Sequence, residues 1–133
     1  MDESRAEQSR SLTDIRLKEL DFEFDGREYK LRCNMNVLAD VQKDFGGRIT
    51  PALTGRAAIK STLSFLAAML NDYAEDMHWP ERYTWRELGK KLDWDAYSQL
   101  PKDAILQLAI DAILPPEAQN EAEAPAQGDS SKN

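Results

Sequence analysis

Two short stretches near the start of the chain alternate strictly between apolar and polar positions. Leu20, Phe22 and Phe24 precede Asp25-Gly26, and Tyr29, Leu31 and Cys33 follow it. A period of two marks a half-buried strand, and Asp-Gly is a type I′ turn signal because both central residues take positive φ. A two-residue loop sets Phe24 opposite Arg27, Phe22 opposite Tyr29 and Leu20 opposite Leu31. One face is then dry. The other pairs Glu19 with Arg32 and Asp21 with Lys30, leaving Glu23 against Glu28 as the one mismatch. A slip of one residue would put charges on the dry face, so the register is well specified. Two strands alone are marginal in water, so either the rest of the chain or another molecule must cover them.

After Cys33 the period changes to that of helices. In "NMNVLADVQKDFGG", Asn34 or Asn36 is the N-cap, Leu38, Val41 and Phe45 follow at helical spacing, and Gly46-Gly47 ends the run. "TGRAAIKSTLSFLAAMLNDY" is the most helical stretch, with Ile59, Leu63, Leu66, Met69, Leu70 and Tyr73 along one broad face. Thr84 and Glu87 form a capping box that opens a short helix through Leu88 and Leu92. Pro101 stands at the first position of a last helix, which Pro115-Pro116 stops. The chain has no internal repeat. The pattern predicts an α+β fold: an N-terminal antiparallel β-hairpin on a small bundle of about four helices. Phe22, Tyr29 and Leu31 should pack on the helices around Leu63 and Leu66.

A length of 133 residues allows one core. The polar start is expected to be a flexible arm over 1–16, the folded domain to span 17–114, and the acidic end, 115–133, to be a disordered tail. A net charge of −7 argues against binding a phosphate backbone, which needs clustered Lys and Arg. A single cysteine excludes an intrachain disulfide and suits a reducing cytoplasm. The first residues lack the apolar core of a signal peptide, and no apolar run approaches the ~20 residues that span a bilayer.

Candidate chemistry is sparse. His78 is the one histidine, and with Cys33 far from it no Cys/His zinc site can be built. Asp72, Glu75 and Asp76 lack the spacing of a calcium loop and read as a solvated helix end. Gly46-Gly47 belongs to no phosphate-binding motif. Cys33 continues the dry face of the hairpin and reads as a buried, inert thiol. The residues predict no enzyme, cofactor or metal. Aromatics are the unusual feature, since all three tryptophans fall in "HWPERYTWRELGKKLDWDAY" with Tyr83 and Tyr97. Trp85 and Trp94 are expected to cap a thin core. Of Trp79 and Tyr83, flanking Pro80 in a loop, one or both are expected to be exposed, serving binding more than folding. Met77, Trp85 and Trp94 complete the candidate partner-binding set.

The stretch "FDGREYKLRCNMNVLADVQKDFGG" resembles the opening of tail assembly chaperones from long-tailed phages and prophages. Gly26, Tyr29, Leu31, Arg32, Leu38 and Gly46 stand at the positions of that pattern, and "WRELGKKLD" resembles the short helix ahead of the last one. The chain departs from it at Ala39-Asp40-Val41-Gln42, where many relatives carry a Leu–Glu–Glu-like run. The resemblance covers about 18–114. It implies a protein that binds the tape-measure protein during tail assembly, with the tail-tube protein as a second candidate partner and self-association as a further one. It implies residence in the cytoplasm of a bacterial host and absence from the mature virion, while the charge and the lack of a long apolar run predict no nucleic-acid or membrane partner. A small acidic protein with an aromatic patch could cover the apolar stripes of a long helical chain while adding repulsive charge. Two other readings fit the composition: an acidic inhibitor or nucleic-acid mimic of a mobile element, which needs an ordered acidic face, and a minor tail-completion protein.

Overall fold

The computed structural model describes residues 18–54 and 58–114. The expected N-terminal arm and acidic tail lie outside the described residues. The hairpin forms as the alternation requires. Strand β1 (Leu20–Phe24) pairs antiparallel with β2 (Arg27–Leu31) in the expected register. Asp25 and Gly26 take φ of 52° and 80°, which is the type I′ turn. On the wet face Lys30 Nζ lies 3.0 Å from Asp21 and Arg32 Nη1 lies 4.0 Å from Glu19.

The four expected helices are present, and two single-turn helices join them. Helix α1 (Met35–Asp44) is capped by Asn34, whose side chain accepts a hydrogen bond from the Val37 N–H. It ends where Gly46 takes φ 70° and the Gly47 N–H reaches back to the Gln42 carbonyl at 2.8 Å. Helix α2 (Thr50–Leu53) is a short turn that admits Pro51 in its first positions. Helix α3 (Ala58–Met77) is the longest element. Helix α4 (Trp85–Lys91) starts with the Thr84/Glu87 capping box in both directions. Helix α5 (Trp94–Ser98) was not expected, and Asp93 caps it by accepting from the Ala96 N–H at 2.9 Å. Helix α6 (Lys102–Ile113) follows Pro101, which stands at its N-cap.

The helical stretch expected to bury one broad face is instead buried all round. Residues 61–70 of α3 are all buried, with Phe65, Leu66, Met69 and Leu70 fully enclosed. A helix apolar on every side belongs at the centre of a fold. Helices α1, α2, α4 and α6 and strand β2 all pack against it. Ser61, Ser64, Ala67 and Ala68 keep it narrow enough for that crowd, and the Ser64 hydroxyl donates to Asp44 at 2.6 Å. Ile59, placed on the core face by its spacing, lies just before the crowded stretch and is 51% exposed.

The dry face of the hairpin joins this core unevenly. Tyr29, Leu31 and Cys33 are buried, whereas Leu20, Phe22 and Phe24 are half-buried. All share one core with Leu63 and Leu66, but the ring and ion contacts that join β2 to α3 fall further along the helix. The Tyr29 and Tyr73 rings lie 6.0 Å apart, and Arg32 bonds to Asp72 and Asp76. This burial ranks two phenylalanines. Phe65→Ala should cost about 3–5 kcal/mol, and Phe22→Ala clearly less, as read by urea denaturation. Equal losses would mean that β1 is as enclosed as α3.

Candidate functional site

Trp79 and Tyr83, expected as free loop aromatics, are fastened into the fold. Helix α3 ends in a Schellman turn: His78 takes φ 62° and the Trp79 N–H returns to the Ala74 carbonyl at 2.9 Å. His78 thus serves the turn in a left-handed conformation. The turn aims Trp79 back at the core, edge-on to Tyr29 at 5.3 Å and to Tyr73 at 5.8 Å. The Arg27 guanidinium lies 4.4 Å above the Trp79 ring and forms an ion pair with Glu81 at 2.7 Å. Tyr83 is tied at both ends. Its backbone N–H and carbonyl meet the Asn71 side-chain amide, each at 2.8 Å, while its hydroxyl donates to Asp25 at 3.0 Å and its ring meets Phe24 edge-on. Both side chains are half-buried. Their proximity to Pro80 in sequence carried no sign of this, because the partners come from the hairpin and from α3.

Asp72 also departs from the expected solvated helix end. Its side chain is 9% exposed, and it accepts from Arg32 Nε and from Asn34 Nδ2, both at 3.0 Å. One carboxylate therefore ties the hairpin's exit and the start of α1 to α3. Cys33 is buried beside it. Burial first, and the Asp72 charge second, push its thiol up to about 12. Burial, helped by the hydrogen bond to Asp25, likewise pushes the Tyr83 phenol up to about 12. In the unfolded chain these groups lose their protons near 9 and 10. The folded state holds more protons through that interval, so stability should fall as the pH rises from about 9 to about 12. Cys33→Ala and Tyr83→Phe should each flatten the fall in urea midpoint over that range.

The exposed tryptophan is Trp94, at 69%. It was expected to cap the core, but α5 begins at Trp94 and turns Tyr97 inward instead, with Tyr97 buried and its hydroxyl 3.5 Å from Thr62 Oγ1. Trp94 stands beside Tyr97, their ring centroids 5.5 Å apart, on the rim of an apolar groove of about 120 Å3. Ile59, Leu63, Gly89, Leu92 and Tyr97 line that groove with it. Gly89 leaves it open: a methyl group there would touch Leu63 Cδ1 at 3.6 Å. Trp85 is half-buried, its ring flanked by Lys60 at 5.1 Å and Arg86 at 4.9 Å. Met77 is 44% exposed at the far end of α3. The five aromatic and methionine candidates thus form no single patch. Ile59 and Leu92 were read from the sequence as core residues and missed as groove residues.

A second, polar cleft of about 470 Å3 is lined by Asn36, Asp40, Asp72, Glu75, Arg82 and Glu87, among others. Burial raises the Asp40 carboxyl above its ordinary value. Among the described residues no group of His, Cys, Asp and Glu is placed to hold a metal ion. No described helix is long and apolar enough to cross a membrane.

The packing assigns different roles to the aromatics. Trp79→Ala and Tyr83→Ala should each cost about 2 kcal/mol, through lost ring contacts and hydrogen bonds. Trp94→Ala should stay within ~0.5 kcal/mol of the parent. Thermal melting of the three variants checks this, and the reverse order would return Trp79 and Tyr83 to the surface.

Comparison with protein-family models, curated proteins and solved structures gives no match to this chain.

Proposed function

We propose that this protein is a tail assembly chaperone that holds an apolar face of the helical tape-measure protein in the Trp94 groove, in the cytoplasm of a bacterial host. The observation that carries the reading is an exposed tryptophan on the rim of an open apolar groove. Covering a ring that exposed, at about 25 cal/mol per Å2, is worth on the order of 3 kcal/mol. The groove's residues come from three helices, so a partner helix could lay successive apolar side chains into it. The resemblance of residues 18–114 to tail chaperones supplies the tape measure as the partner. The acidic surface adds solubility to a complex whose other member is striped with apolar residues.

Gly89 offers a direct test. Glycine inside a helix costs about 0.5–1 kcal/mol relative to alanine, so Gly89→Ala should raise stability by that amount while its methyl group narrows the groove. Co-expression with the cognate tape-measure protein should give a soluble complex. Trp94→Ala, Ile59→Asp and Gly89→Ala should each weaken capture at least tenfold without loss of folding. Capture that survives all three substitutions would sink the groove assignment. The polar cleft favours one rival, the acidic inhibitor or nucleic-acid mimic, because it places Asp40, Glu75 and Glu87 on an ordered surface. Arg82 and the pairing of Asp72 with Arg32 dilute that surface. Retention of a host nucleic-acid enzyme, rather than of a tape measure, would favour this rival.

A further inference from the structure

We infer that the outer edge of β1 is a docking site for an extended segment of a partner, one that alternates apolar residues with Lys or Arg. The turn fixes which backbone groups are available. With a two-residue loop, Phe24 and Arg27 form a hydrogen-bonded pair, as do Phe22 with Tyr29 and Leu20 with Leu31. The N–H and carbonyl groups of Asp21 and Glu23 therefore point away from β2. Among the described residues no strand pairs with that edge, and β2 is the one element that β1 meets along its length. An unpaired row of donors and acceptors is a template for one more strand.

Two further observations give the partner its chemistry. Burial falls off across the sheet, from 2% and 0% exposure at Tyr29 and Leu31 to half-buried Phe22 and Leu20 opposite them. The dry face of β1 is thus left partly open, and a third strand's apolar residues would cover it. On the wet face, Glu23 stands opposite Glu28, and neither forms an ion pair among the described residues. Like charges directly across a sheet destabilise it, and a cationic side chain on an added strand would relieve the conflict. Glu23 also disfavours a second copy of this chain, whose β1 would bring another uncompensated glutamate to the same edge. The partner is therefore a basic, extended segment of another protein. This surface shares no residue with the Trp94 groove, and the inference stands whether or not the groove binds a helix.

The test uses the full chain, labelled for NMR at ~0.15 M salt, where long-range attraction is screened. The probes are two seven-residue peptides, one alternating Lys and Val, the other Glu and Val. The Lys-Val peptide should slow amide hydrogen exchange at Asp21 and Glu23 at least tenfold, and the Glu-Val peptide should not bind. Glu23→Lys should weaken the Lys-Val peptide at least tenfold, and Glu23→Gln should give an intermediate loss. Both variants should keep the parent's circular dichroism, since Glu23 is exposed. Protection confined to the polar cleft or the groove would overturn the proposal, as would equal binding of the two peptides. Affinity unchanged in both Glu23 variants would overturn it too.

Discussion

Everything in this fold is arranged around the burial of ten consecutive residues of α3, 61–70. A helix enclosed on all sides must find neighbours for every face, and here two longer helices, one shorter helix, a single-turn helix and a strand supply them. The stretch combines Phe65, Leu66, Met69 and Leu70 with Ser61, Ser64, Ala67 and Ala68, so large side chains fill the gaps while small ones let backbones approach. Just beyond it, Asp72 gathers Arg32 and Asn34. That carboxylate sets where the hairpin ends and α1 begins. Removing Arg32 would leave that poorly hydrated carboxylate without its cation, so the joint is held by the cost of breaking it more than by raw attraction.

The residues that carry the likeness to tail chaperones are, in this structure, fasteners of the fold. Gly26 makes the hairpin turn, Tyr29 and Leu31 enter the core, Arg32 reaches Asp72 and Asp76, and Gly46 ends α1. A pattern of that kind reports an architecture. Of the groove residues, Gly89 and Leu92 fall in the second stretch of that pattern, whereas Ile59 and Trp94 lie outside it. The proposed partner therefore rests on a resemblance in sequence pattern and on an apolar groove, joined in the functional reading.

The two proposed surfaces differ in what they could hold. The groove between α3, α4 and α5 suits side chains projecting from a helix. The β1 edge suits backbone, with charge choosing the strand. A protein that presents both could hold a partner at a helical stretch and at an extended one together, and linking two modest contacts raises affinity without any new chemistry.

The hairpin, its register, an asparagine cap at 34 or 36, the Thr84/Glu87 box and the four longer helices were legible in the sequence. Each is decided by neighbours a few residues apart: a period of two or 3.6, an Asp-Gly pair, a capping side chain three positions from its N–H. The fate of the tryptophans was not. Trp79 is held half-buried by Tyr29, Tyr73 and Arg27, which arrive from a distant hairpin and the turn of α3 before it. Trp94 is exposed because α5 turns Tyr97, three residues on, toward Thr62. In the same way Asp72 looks like any helix-end acid until Arg32 and Asn34 fold onto it. Local pattern sets which segments are strands and helices, because those depend on short-range geometry. Which aromatic is strut and which is surface depends on partners 35 or more residues away, as with Tyr97 and Thr62, and only the packed chain decides it.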